Sequence, residues 1–231
     1  MPPAPVSWPV SWSVPHRHLL SWLLLVSMGA LHGEDAATEK PNADHFFREG
    51  VRLFFDAQVA ASATAFDKVI ELAPGAAPQL WQRGLTLYYA GRFADGRAQF
   101  ELHQTVNGND VENAAWHFIC VIKVDGLEAA RKAFIPIVGD ARVPMRQIHA
   151  LFAGTGTAEA VLKAADADGM PTEAERDQLC YAHLYLGLFY EATGDAALAR
   201  KHMRLAAVDF RMDHYMGKVA QVHVKLRGWV D

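Results

Sequence analysis

The sequence has 231 residues, 51% of them hydrophobic, 10% aromatic and 21% charged. That composition supplies one compact domain or a short stack of repeats and excludes disorder over most of the length. The formal net charge is −4 with acids and bases intermixed, so no basic stripe marks a nucleic-acid surface. In chain order, prolines crowd the first fifteen residues, and an apolar run at 19–31 follows Arg17 and precedes Gly33-Glu34-Asp35. A basic flank, about a dozen apolar residues and a small-residue exit are the parts of a secretory signal. A membrane span needs roughly 20 apolar residues. Residues 1–33 are therefore expected to be a signal peptide, with an uncleaved anchor as the alternative, and 34–41 a disordered linker. Export to a periplasm or the extracellular space follows, with an organelle lumen or membrane anchoring as alternatives.

From residue 42 onward the pattern is helical and repeats. Gly50 and Gly84 are 34 residues apart, and Phe66, Phe100 and Phe134 recur at the same interval. Periods of 20–50 residues signal stacked supersecondary units. The spacing resembles that of tetratricopeptide-type helix pairs, and the resemblance implies that a small residue in the first helix of each unit lets the second helix pack close while an aromatic of the second helix fills the space between units. The first repeat is placed at about 43–76, with Ser62 at the small position and Pro74 closing it. The second runs 77–110 with Gly96 at the small position. The third, 111–143, keeps Ala130 and Phe134 but has Phe118 where glycine is expected. An irregular pair at 144–168 comprises helices at 145–153 and 158–167, split by Gly154-Thr155-Gly156 and capped at Thr157. Thr172 and Glu175 form a capping box that opens the next helix. The fourth repeat, 180–213, has Gly187, a glycine turn at Gly194-Asp195, Ala199 and Met203. A helix at 213–227, apolar on most sides, is expected to cap the stack.

This phase and spacing resemble the tetratricopeptide (TPR) repeat superfamily over about 42–207. In repeat order the chain is also similar to NlpI-like envelope proteins, although the lipid-bearing cysteine of that family is absent. The resemblance implies an all-α solenoid of stacked antiparallel helix pairs with no catalytic residue, metal site or cofactor. It also implies that particular first-helix positions face a ligand in a concave groove. Carried over, these are Phe47, Arg48 and Phe54; Trp81, Tyr88 and Tyr89; Trp116 and Lys123; Tyr181 and Tyr185. Aromatic rings with polar tips suit a binding surface. The expected function is thus a non-catalytic scaffold or adaptor for a peptide or protein partner, with no nucleic acid and no stable membrane span after signal cleavage. A self-associating structural protein or homodimer is the alternative. A further alternative fills the groove from within, through Met216, Val219 and Trp229 of the last helix.

Other chemistry is weakly signalled. Cys120 and Cys180 either pair or sit as buried thiols. Eight histidines follow residue 33, and His117 with Cys120, or His214 with His223, could share a helix face. None has an HExxH or CxxC spacing, so a His/Cys metal site or enzyme is the minor expectation. Arg48, Arg83, Arg92, Arg142, Arg146 and Arg211 are candidates to read a carboxylate, against ordinary structural pairing.

Overall fold

The computed structural model describes residues 41–166 and 171–229. The expected signal at 1–33 and nearly all of the expected linker lie outside the described residues. The chain divides at Pro41, and the helical unit is Asn42–Asp231. Its elements are α1 (Ala43–Phe55), α2 (Val59–Leu72), a 3-10 turn (Pro74–Gln79), α3 (Trp81–Tyr89), α4 (Phe93–Gln104), α5 (Val111–Asp125), α6 (Leu127–Lys132), α7 (Met145–Ala153), α8 (Ala158–Ala165), α9 (Glu173–Thr193), α10 (Ala196–Arg204), a π-helical turn (Leu205–Asp209) and α11 (Tyr215–Arg227). Among the described residues there is no strand, and none of the helices is long and apolar enough to cross a membrane.

The helix starts follow local side-chain chemistry. The four free N–H groups of a helix start need acceptors. Asn42 accepts from His45 N–H, Asp110 from Glu112 N–H, Thr157 from Ala160 N–H and Asp195 from Leu198 N–H. Thr172 and Glu175 make a reciprocal capping box at α9. Gly194 ends α9 with φ +98°, the left-handed region that a side chain disfavours.

Consecutive helices pack as pairs: α1 on α2, α3 on α4, α5 on α6, α7 on α8 and α9 on α10. The packing inside the pairs repeats in detail. A Cβ on Gly50 would stand 3.0 Å from the Phe66 ring, one on Gly84 2.6 Å from the Phe100 ring, and one on Gly187 2.9 Å from Met203 Cε. Each partner lies sixteen positions after its glycine. Twelve positions after the same glycines come Ser62, Gly96 and Ala199, all buried. The backbones therefore approach where no side chain, or only a very small one, stands between them. Ser62 uses the proximity to donate from Oγ to Gly50 O at 2.7 Å. Neighbouring pairs are stitched by Asp67, which holds both Arg83 (2.7 Å) and Arg92 (2.6 Å).

The third pair departs from expectation. Ala130 is buried and Phe118 contacts Phe134 at a ring separation of 5.5 Å. Phe134, however, lies beyond the helix: α6 stops at Lys132. Ile135 precedes Pro136, and a residue before proline is pushed out of the α region, so the second helix cannot continue as it does in α2 and α4. Phe134 packs instead on His149 and Phe152 of α7. In the last pair α9 begins at Glu173, directly after the expected Thr172 cap, and runs unbroken through the first helix of the fourth repeat to Thr193.

Candidate functional site

The first helices α1, α3, α5 and α9 carry the aromatic positions that sequence assigned to a partner, and α11 lies against this set. Tyr215, opening α11, meets Trp81 edge-on at 4.6 Å and Phe55 at 4.8 Å, and stacks on Phe54 at 6.4 Å. One helical turn pair later, His223 sits 5.7 Å from the Tyr89 ring, and the Tyr89 hydroxyl is 3.0 Å from His223 Nδ1. Polar contacts fasten the far end: Lys225 Nζ donates to Asp56 O at 3.2 Å and Arg227 Nε to Glu191 Oε1 at 2.6 Å.

The consequence for the expected contact residues is direct. Phe54 and Tyr185 are 0% exposed, and Tyr88 and Trp116 are 2% exposed, so these four are interior side chains, not an outward surface. Large apolar faces exposed on first helices cost free energy in water, and Val219, Ala220 and Val222 of α11 are buried in the same apolar core as these side chains. Trp81, Tyr89, Tyr181 and Phe47 are half-buried, whereas Arg48 and Lys123 are exposed. Phe47 packs on Phe66 at 5.9 Å. Arg48 pairs with Asp44 on its own helix at 2.7 Å, remote from the aromatic cluster. Most of the candidate arginines are likewise engaged internally, Arg83 and Arg92 by Asp67 and Arg211 near Asp213 at 3.8 Å.

Between α3, α4, α5, α9 and the start of α11 lies a cavity of about 340 Å³. Its aromatic walls are Trp81, Trp116, Tyr181 and Tyr215, and Asp110, Glu112 and Asn113 at the start of α5 supply its polar side. Asp110 is there because it caps α5, and Glu112 because it occupies the first turn, where acids are favoured by the helix dipole. Arg142 gathers Asp110 (2.7 Å), Asp140 (2.6 Å) and Glu112. Tyr185 donates its hydroxyl to Glu112 Oε2 at 2.8 Å. Burial raises the Glu112 carboxyl to about 7, against the pull of Arg142 and with Asp110 adding to the rise. His214 closes the cavity from α11. Its Nδ1 accepts from Gly217 N–H at 3.2 Å, its Nε2 stands 2.8 Å from Asp177 Oδ1, and its ring stacks on Tyr181 at 5.1 Å.

The thiols and histidines take other roles. Cys120 and Cys180 are both free and buried. Burial pushes both thiols up, Cys180 to about 12, which leaves them as poor nucleophiles. His117, near Cys120 in sequence, turns to Glu101 at 3.2 Å. Among the described residues no group of three or more His, Cys, Asp or Glu side chains converges as a metal site. His183 and His202 form a buried pair with Nδ1 atoms 2.8 Å apart, a contact that spacing alone did not announce. Sequence also missed the Asp110–Glu112–Asp140–Arg142 cluster, although Arg142 was singled out; Asp140 is two positions from it, but Glu112 and Asp110 come from 30 and 32 positions away. No protein-family model matches the chain, and no curated protein matches it in sequence.

Proposed function

We propose that this chain is a non-catalytic binding module built from tetratricopeptide-type helix pairs, a scaffold or adaptor that engages a peptide or protein partner along the first-helix face. The observation that carries this reading is the recurrence of one packing solution, Gly50 on Phe66, Gly84 on Phe100 and Gly187 on Met203. Units that share one interface stack into an extended surface. The same face already holds a helix, α11, by aromatic contacts with capping polar bonds, which is the helix-in-groove mode of recognition. In this reading Trp81 and Tyr181, half-buried at the edge of α11, are the positions a partner meets. The apolar segment at 19–31 supports export to a periplasm or the extracellular space.

The test is recovery of partners by the full chain and by a Trp81→Ala, Tyr181→Ala variant of equal thermal stability. Loss of a partner from the variant is expected. Recovery of the same partners in the same amounts by both would overturn the assignment.

A second reading is favoured by the burial of Phe54, Tyr88, Trp116 and Tyr185 in the chain's own core, which also takes in residues of α11. A face filled by its own chain suits a self-contained structural part that associates with further copies. Light scattering at two concentrations separates the two, since only self-association makes the mass rise with concentration.

A further inference from the structure

The cavity at the α3–α5–α9–α11 junction has features that packing alone does not require. Four aromatic side chains, Trp81, Trp116, Tyr181 and Tyr215, wall a volume of about 340 Å³, at the small end of the range that single small ligands occupy. Next to them, Asp110, Glu112 and Asp140 surround one guanidinium, Arg142, so three carboxylates meet one cation. The cluster has a formal surplus of two negative charges beside a low-dielectric space. Two of the side chains that line the cavity also carry a polar atom left unpaired, although Asn113 Nδ2 donates to Phe100 O and Gln104 Oε1. Asn113 is 3% exposed and Trp116 2% exposed, yet Asn113 Oδ1 and Trp116 Nε1 have no hydrogen-bond partner. A buried polar atom without a partner destabilises the fold, a cost that a polar ligand removes. The Tyr215 hydroxyl is in the same condition.

We propose that this cavity is a binding site for a small organic cation, an alkylammonium that also carries a hydrogen-bonding oxygen. Aromatic faces attract a cation through their quadrupoles, and the surplus carboxylate charge supplies the counter-charge. Asn113 Oδ1 accepts from the polar end of the ligand or its ammonium N–H, while the Trp116 indole N–H donates to the ligand oxygen. The cavity shares Trp81 and Tyr181 with the partner face proposed above, and cation binding read at Trp116 is tested apart from partner recovery. Burial, with Asp110 adding to it, holds the Glu112 carboxyl up at about 7, and an ammonium bound beside it favours the ionised form.

Choline is the first probe, and the readout is the Trp116 indole N–H resonance of the full chain. The comparison ligand is 3,3-dimethylbutan-1-ol, which has choline's shape and hydroxyl but no charge. Choline is expected to shift the resonance saturably, with the neutral isostere at least about tenfold weaker. Glu112→Gln, which keeps shape and acceptor but removes charge, is expected to weaken choline by a similar factor. Trp81→Leu, at the half-buried edge, provides a second variant with the same expectation should Glu112→Gln not fold. An N-acetyl-lysinamide arm identifies the source of the cation. A comparable shift assigns the site to a lysine side chain, and a response to choline alone assigns it to a free quaternary cation. The proposal is overturned by equal affinity for choline and its isostere, by unchanged choline affinity in the folded variants, or by no shift with either cation.

Discussion

Gly84 and Phe100 are packed so closely that a methyl group on Gly84 would stand 2.6 Å from the edge of the Phe100 ring. Real side chains do not tolerate that distance, so one of the two must yield. Gly84→Ala is expected to destabilise the protein by roughly 1–3 kcal/mol through overpacking, and Phe100→Ala by roughly 3–5 kcal/mol through the cavity it leaves. Because the two share one contact, their effects should not add. Gly84→Ala combined with Phe100→Leu is expected to cost less than the sum of the single changes in a double-mutant cycle read by urea denaturation. Strict additivity would mean that the two residues do not meet.

Tyr215 anchors the start of α11 on Trp81, Phe54 and Phe55. Truncating it to alanine should cost about 2 kcal/mol, since a partly buried aromatic is lost. The effect is expected to be local: amide hydrogen exchange should accelerate across 215–227 while α3 and α4 keep their protection. Uniform acceleration throughout the chain would show that α11 is not a separable unit.

Glu112 gives a pH signature. Its folded carboxyl titrates near 7, well above the ordinary 4.5, chiefly because it is buried. Below pH 4.5 it is protonated folded or unfolded and has no effect on the balance. As pH rises through 7 the folded state must ionise a buried group, and stability falls relative to the low-pH value. Glu112→Gln should therefore match wild type near pH 4.5 and exceed it by about 2–3 kcal/mol at pH 8. Chemical denaturation at the two pH values checks this, and a variant less stable at pH 8 would refute it.

His183 and His202 give the opposite slope. One Nδ1 must donate and the other accept across 2.8 Å, so the pair is built for neutral rings. Burial and the neighbouring His202 depress His183 to about 4, and burial lowers His202 as well. Their contribution is complete above pH 6.5 and is lost as pH falls toward 4, because the unfolded chain takes up protons first. His202→Gln retains an acceptor for His183 and removes one titrating ring. Its melting temperature should decline less than that of wild type between pH 7 and 4. Parallel declines would place the acid sensitivity elsewhere.

The parts of this protein that were legible from sequence are those governed by near neighbours along the chain. The caps at Thr157 and Thr172, the glycine stop at Gly194 and the helix bounds of α7 depend on backbone chemistry within one or two turns. The small positions Gly50, Gly84 and Gly187 were visible because each meets a partner a fixed sixteen residues on, a spacing set by two short helices and one turn. The same rule misled at Phe134, where Pro136 ends the helix before the expected position.

The destination of α11 was of another kind. Whether the aromatic set faces solvent, a partner or its own chain depends on contacts such as Tyr89 with His223, 134 residues apart, and Lys225 with Asp56, 169 apart. Several apolar surfaces compete for each other at that range, and no local periodicity ranks them. By itself, then, the sequence determined the helix pairs and their internal register. Tertiary structure alone decided which face α11 covers, and with it brought Glu112, Trp116 and Tyr215 around one cavity.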